Sequence, residues 1–260
     1  MPAAETSSVV VVTGAASGIG RATVRRLVAL GASVVAVDRQ LDQFGWIADE
    51  GLADRVGTVI GDVTSAATNA QSVAAAMDRF GRLDGAVFNA GISMGGDLLD
   101  LPMEDFDRAI AVNVRAVALG IRAVVPSMRL AGSGRIVVTA STSGIGGDPN
   151  MWAYNTSKGA VINLVRAAAV DLGPDNITVN AVCPGPTETE MTMRLQALPA
   201  LHEHLRATIP LQRWGQASEI AAVIAFLVSA EASFVNGAII PVDGGITANT
   251  GQFAPRNIRA

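Results

Sequence analysis

Val9-Val10-Val11-Val12-Thr13-Gly14-Ala15-Ala16-Ser17-Gly18-Ile19-Gly20 is an apolar run that breaks into a glycine-rich turn, and Val24, Leu27 and Val28 follow it at helical spacing. Strand, tight turn and helix start, in that order, form the context that a dinucleotide site needs. Glycines let the backbone turn sharply and come close to a pyrophosphate. The helix N-terminus then offers unpaired N–H groups and a partial positive charge to the anion. The spacing is Gly-x-x-x-Gly-x-Gly rather than Gly-x-Gly-x-x-Gly. The competing reading is a glycine-rich turn with no ligand, and the flanking strand and helix weigh against it.

A second apolar run, Val34-Val35-Ala36-Val37, ends at Asp38, eighteen residues beyond Gly20. A carboxylate there is placed to accept hydrogen bonds from the adenosine ribose hydroxyls of NAD. A 2′-phosphate would meet a like charge, at a cost on the order of 4 kcal/mol for ~4 Å and an effective dielectric of ~20. Ser17 is neutral and supplies no compensating cation. Arg39 points the other way, because a guanidinium can swing toward a 2′-phosphate. Asp38 outweighs it, and the expected cofactor is NAD.

Strand-like runs continue along the chain at Val9–Val12, Ser33–Val37, Val56–Ile60, Gly85–Phe88, Arg135–Thr139, Thr178–Val182 and Ala238–Val242, separated by helix-like segments. This alternation predicts an α/β fold: a doubly wound parallel sheet of about seven strands, covered by helices on both faces. No linker, repeat or low-complexity tract divides it, so residues 1–260 are expected to form a single domain. Two stretches break the rhythm. Residues 187–210 are a long insertion with Met191, Met193, Leu195, Leu198 and Leu201 among charged residues, and 248–260 is a polar tail without periodicity.

Hydrophobic residues make up 50% of the chain and charged residues only 16%, so some apolar surface is expected to be covered by partner subunits. A net charge of −4 with no basic cluster argues against nucleic acid binding. The single cysteine, Cys183, cannot form an internal disulfide, which fits a reducing, cytoplasmic setting. It closes an apolar run and suits a small buried residue better than a nucleophile. We find no cationic leader and expect no membrane-spanning stretch. His202 and His204 are two apart and point in different directions on a helix, with no cysteine or further histidine beside them, so no metal site is expected.

Tyr154 and Lys158 are four residues apart, with Ser141 thirteen residues before the tyrosine. On a helix, positions i and i+4 share a face. A cation beside the phenol would lower its pKa from the ordinary value of ~10. The hydroxyl could then exchange protons near neutral pH, as general acid–base catalysis requires.

Taken together, these motifs resemble the short-chain dehydrogenase/reductase family, in its compact, single-domain, Rossmann-like branch. The resemblance spans about Val9 to Thr247. The Gly14, Ser17, Gly18, Ile19 and Gly20 loop matches the family's cofactor turn, Asp62-Val63 its adenine-contacting pair, and Asn89-Ala90-Gly91 the motif closing the fourth strand. Asn113, Ser141, Tyr154 and Lys158 match its catalytic set. Pro184-Gly185 and Thr189 resemble the stretch at the nicotinamide end, with Thr187 departing from the usual aliphatic residue. Leu211–Gly215 and Val242–Gly245 resemble its C-terminal signatures.

The resemblance implies reversible hydride transfer between NAD and a small-molecule alcohol or carbonyl substrate. Tyr154 would be the acid–base, and Lys158 would contact the nicotinamide ribose. Ser141 would bind the substrate oxygen, and Asn113 would position a water that relays protons to Lys158. The 187–210 insertion is then a substrate lid, the alternative being a surface helical hairpin. Met94 and Trp152 are each either substrate wall or core. The helix from Tyr154, with Ala160, Val161, Ile162, Leu164, Val165, Ala167, Ala168, Ala169 and Val170, is apolar almost all round, as is Val112–Val125. A homo-oligomer, dimer or tetramer, is expected on these faces.

The expected substrate is a medium-sized, fairly hydrophobic or cyclic secondary alcohol or its ketone. Alternatives are a 3-oxoacyl thioester reductase or a sugar alcohol dehydrogenase. A sugar epimerase or dehydratase would usually bring a larger C-terminal domain, and a non-catalytic NAD-binding regulator would be expected to have lost part of the catalytic set.

Overall fold

The four valines of the first run divide between two cores. Val9 and Val11 pack on one face of the sheet, Val10 and Val12 on the other, because side chains alternate along a strand. The computed structural model describes residues 8–250. Its strands are β1 (Val9–Thr13), β2 (Ser33–Asp38), β3 (Val56–Ile60), β4 (Gly85–Phe88), β5 (Gly134–Thr139), β6 (Ile177–Pro184), β7 (Thr187–Glu188), β8 (Gly215–Gln216) and β9 (Ile239–Val242). The helices between them are α1 (Gly18–Ala29), α2 (Gly45–Asp49), α3 (Ala66–Phe80), α4 (Met103–Ile110), α5 (Ala116–Ala131), α6 (Trp152–Leu172), α7 (Met193–Gln196), α8 (Pro199–Thr208) and α9 (Ala217–Val228).

Seven strands form one parallel sheet in the order β3-β2-β1-β4-β5-β6-β9. All seven expected strands are present, with ends moved by at most two residues. Helices α1 and α9 cover one face, where Val24, Leu27, Ile220, Ile224 and Leu227 are buried. Residues of α3, α5 and α6 cover the other, with Ala76, Val124, Met128, Val161 and Val165 at the centre. The strand order turns from descending to ascending between β1 and β4. In open α/β sheets, ligands bind at such a switch point, beyond the carboxyl ends of the strands.

Three features were not anticipated. Strands β7 and β8 form a separate two-stranded ladder that ties the start of the 187–210 insertion to the start of α9. Helices α4 and α5 run on without a break through a π-helical turn at Ala111–Arg115. The joined helix, Met103–Ala131, is long and apolar enough by length and composition to cross a membrane, with a mean hydropathy of 1.6 over an 18-residue window, which corrects the expectation that no such stretch exists. Its apolarity has another use here: Ala116, Val117, Ile121, Val124, Val125 and Met128 face the sheet core. Of the polar tail at 248–260, the part after Thr250 lies outside the described residues.

Candidate active site

The first βα turn is built so that three backbone segments nearly touch. A Cβ on Gly20 would sit 1.9 Å from the Gly14 carbonyl oxygen, and one on Gly14 would sit 2.8 Å from the Ala90 Cα, with φ of +64° besides. Asn89 is the staple. Its amide donates to the Thr13 and Gly14 carbonyl oxygens at 3.2 Å and accepts from Thr139 Oγ1 at 3.1 Å. The ends of β1, β4 and β5 are thereby fixed to one another, and α1 opens with its first-turn N–H groups unpaired within the helix.

A cleft of about 570 Å³ lies over these strand ends. Gly14, Ser17, Gly18 and Ile19 line one side, with Asp38, Asp62 and Val63 at the far end. Ala90 and Gly91, Pro184 and Gly185, Thr187 and Thr189 line the rest together with Asn89, Ser141, Tyr154 and Lys158. Gly20 and Asn113 stand behind the wall instead of in it.

Asp38 Oδ2 accepts from the Ala16 N–H at 3.0 Å and Oδ1 from the Arg39 N–H at 2.7 Å. The carboxylate is held against the glycine loop and borders the cleft. Asp62 accepts from the Thr64 N–H and hydroxyl at 2.8 and 2.7 Å, which together hold its carboxyl below the usual range. Arg39 and Arg108 contribute to that lowering and also line the cleft.

Ser141, at the end of β5, faces Tyr154 on α6. Burial pushes the Tyr154 phenol above its ordinary pKa, and the hydrogen bond with Ser141 pulls it partly back. The Lys158 ammonium lies over the tyrosine ring, 5.7 Å from its centre, and donates to the Thr139 carbonyl oxygen at 2.8 Å. Burial lowers its own pKa to about 8. The expectation that Lys158 lowers the tyrosine pKa is therefore corrected for the protein alone. The cation meets the ring face and a carbonyl, and loss of water dominates both groups.

Asn113 is tied to two neighbouring segments. Its Oδ1 accepts from the Ile92 N–H, while Nδ2 donates to the Ile92 carbonyl and to Ser157 Oγ, each at 2.9 Å. Both amide N–H donors are used, which fixes the orientation of the side chain. Ser157 donates in turn to the Tyr154 carbonyl at 2.7 Å. The chain Ile92–Asn113–Ser157–Tyr154 thus links the loop after β4, the π-turn and α6.

Cys183 is fully buried, and desolvation raises its thiol to about 11, which fits a packing role. Thr187 is buried with its hydroxyl on the Gly185 carbonyl at 2.9 Å. Of the apolar insertion residues Met191, Met193 and Leu198 are all more than half exposed, and of these Met191 alone borders the cleft. Met94 and Trp152 do not border it, and Trp152 stacks on Phe106 at 5.2 Å. His202 stacks on Trp214 at 4.9 Å. Among the described residues no group of three metal-ligating side chains occurs. Sequence reasoning missed Thr139, Ser157, Thr64 and Glu190. Thr64, Ser157 and Glu190 each adjoin a residue already singled out (Val63, Lys158 and Thr189), and Thr139 closes a strand-like run, but no spacing announced their contacts.

The donor set suits a nicotinamide dinucleotide: free N–H groups at a helix N-terminus, a carboxylate at the end of β2, and a lysine beside bare Gly91. A Cβ on Gly91 would lie 3.2 Å from Asn113 Oδ1 and 3.5 Å from Lys158 Nζ, so the cleft floor there depends on its being glycine.

Comparison with known proteins agrees with this geometry. Residues 14–247 match a family model described as enoyl-(acyl carrier protein) reductase. The chain is 42% identical to 2-(R)-hydroxypropyl-CoM dehydrogenase of Xanthobacter autotrophicus, over 93% of this chain and 99% of that one. Among solved structures, levodione reductase superposes with a TM-score of 0.88 at 38% identity, covering 93% and 98% of the two chains. The 3-ketoacyl-(acyl-carrier-protein) reductase of Brucella melitensis, complexed with NADH, gives 0.87 at 33% identity, covering 92% and 98%. With its glycine turn at the switch point of a seven-stranded sheet and Ser141, Tyr154 and Lys158 around one cleft, the chain belongs to the short-chain dehydrogenase/reductase family, as an oxidoreductase acting on CH–OH groups.

Proposed function

We propose that the protein interconverts a secondary alcohol and its ketone with NAD as the hydride carrier, and that Tyr154 is the acid–base. The carrying observation is the Tyr154 phenol, paired with Ser141 at the cleft floor beside Lys158. When bound, NAD supplies or accepts the hydride. Tyr154 gives its proton to the carbonyl oxygen in reduction, or takes it from the alcohol in oxidation. Ser141 holds that oxygen by a hydrogen bond, and Lys158 contacts the nicotinamide ribose. Asp38 supports NAD over NADP, since its carboxylate borders the cleft where a 2′-phosphate would have to sit.

The substrate we favour is medium-sized and fairly hydrophobic or cyclic, because Met191 overlooks the cleft from the lid. The dehydrogenases and reductases it resembles act, by their names, on hydroxypropyl-CoM and levodione. A 3-oxoacyl thioester is the second reading, favoured by the Brucella relative, whose name is that of a 3-ketoacyl-(acyl-carrier-protein) reductase. Homo-oligomerisation belongs to the same proposal. In the single chain Val170 on α6 is 77% exposed and Leu130 on α5 is 91% exposed, which is apolar surface on the two helices that partners would cover.

The test is an initial-rate survey of secondary alcohols, cyclic ketones and a 3-oxoacyl thioester, each with both nicotinamide cofactors. Turnover of a plain secondary alcohol or ketone with NAD supports the proposal. Turnover confined to the thioester moves the assignment to the second reading, and loss of cofactor turnover with every compound overturns both.

A further inference from the structure

The lid touches the glycine loop through Glu190. Its Oε2 accepts from the Gly18 N–H at 2.9 Å, and its Oε1 pairs with Arg21 at 2.6 Å. These contacts join the start of α1 to a segment about 170 residues later in the chain. Thr189 comes equally close: a Cβ on Gly18 would lie 3.4 Å from its side chain. Thr189 and Thr192 cap the short turn that carries Glu190, so the carboxylate moves as part of that turn.

Two cavities meet at this contact. On one side is the 570 Å³ cleft, and on the other an outer groove of about 420 Å³ bordered by Arg21, Ala22 and Met193. Gly18, Thr189 and Glu190 border both. The Glu190 pairing is therefore a partition between cleft and exterior, held by one charge-assisted hydrogen bond and one ion pair. The N–H that Glu190 takes is one of several unpaired donors at this helix start, and Ile19 still faces the cleft. Carboxylate and pyrophosphate need not compete for the same donor.

We propose that Glu190 and Arg21 form a clasp that opens to let the dinucleotide in and out and closes again over it. The pair then sets the rate of cofactor exchange and leaves affinity nearly unchanged. The proposal rests on the dinucleotide reading of the cleft. Both residues are partly exposed, so truncating them leaves the core intact.

The experiment is stopped-flow fluorescence of cofactor binding and release, using whichever of NADH and NADPH binds, with Glu190→Ala, Glu190→Gln, Arg21→Ala and the double variant. Association and dissociation rates are both expected to rise about three- to tenfold in Glu190→Ala, the range for a partly exposed, charge-assisted contact, with Kd changed by less than about twofold. Glu190→Gln should fall between, and Arg21→Ala should add nothing to Glu190→Ala. A faster association alone with tighter binding would show that Glu190 competes with the cofactor, and overturns the clasp. Faster dissociation alone would make Glu190 a direct cofactor support, which also overturns it, as do unchanged rates. If neither cofactor binds the unmodified protein, the dinucleotide reading itself fails and the clasp with it.

Discussion

Lys158 Nζ donates to the carbonyl oxygen of Thr139 at 2.8 Å, which holds the ammonium at the end of β5. The sheet thus aims the lysine, because Thr139 is also the residue whose hydroxyl reaches Asn89 at the end of β4. A buried cation with one carbonyl partner is poorly compensated for its lost water. Its pKa of about 8 records that deficit.

A stability profile follows. The pKa is lowered from 10.5 to about 8, so between those values the unfolded chain binds more protons than the folded one. Stability should rise with pH across that window by up to about 3 kcal/mol from this group alone. Lys158→Met removes this component while abolishing most turnover. Thermal melts should find the variant at least as stable as the parent at pH 7, with its advantage shrinking toward pH 10. A parent whose melting temperature falls steadily from pH 8 to 9.5 would contradict the assignment.

Tyr154→Phe keeps the ring and removes the transferable proton. General acid–base catalysis is worth roughly 10²–10⁴ in rate, so turnover should fall by about that much while cofactor affinity holds. Because burial raises the phenol pKa, the proton donor persists through neutral pH. Ketone reduction should keep its rate there, and alcohol oxidation should climb as pH rises. An oxidation rate that falls as pH rises, or a reduction rate that climbs, would overturn the assignment.

Asp38→Ala tests the cofactor. Titration of the parent should favour NADH clearly over NADPH, and the substitution should narrow the gap. Since Asp38 also accepts from the Ala16 N–H, NADH affinity should weaken somewhat as the loop loosens. Equal or tighter NADPH binding by the parent would bring Arg39 forward instead.

Gly20→Ala and Gly45→Ala make a matched pair. The first places a methyl 1.9 Å from a backbone oxygen, while the second has nothing within 4 Å. Overpacking costs about 1–3 kcal/mol, so Gly20→Ala should melt lower and bind cofactor poorly. Gly45→Ala should be neutral or slightly stabilising, because its backbone is already helical. Equal behaviour of the two would refute the tight-turn argument.

Sedimentation should give a mass of at least twice 26.6 kDa at low micromolar concentration. Val170→Glu or Leu130→Glu should shift the protein toward monomer. A soluble monomeric parent would mean that these faces need no partner.

The strands and the glycine turn were legible because they are local. Val9 to Val12 carry period-2 burial on both faces, and Gly14 and Gly20 mark a backbone that admits no Cβ. Most cleft residues were legible because they close a strand or follow one, and Tyr154 and Lys158 because their spacing puts them on one helix face. What could not be read were pairings between distant segments and the phase of helices. Glu190 meets Gly18 only after the whole sheet is assembled, and no spacing announces it. The lysine's aim depended on where the Thr139 carbonyl lies, so residue type and interval alone misjudged its effect on the tyrosine. Insertion residues such as Leu198 look like a lid lining by composition, yet lie more than half exposed.

The π-turn at Ala111–Arg115 has a consequence for how this site tolerates change. One extra residue in the coil rotates everything before it by about 100° relative to everything after. The N-terminal half of the long helix and its C-terminal half are therefore out of phase. The later half can keep Ile121, Val124 and Met128 on the sheet while Asn113, inside the misfit, reaches Ile92 and Ser157. Mutations that improve the packing of α5 need not disturb the asparagine, and drift around the cleft need not unseat the core. The fault in the coil insulates stability from chemistry within a single helix.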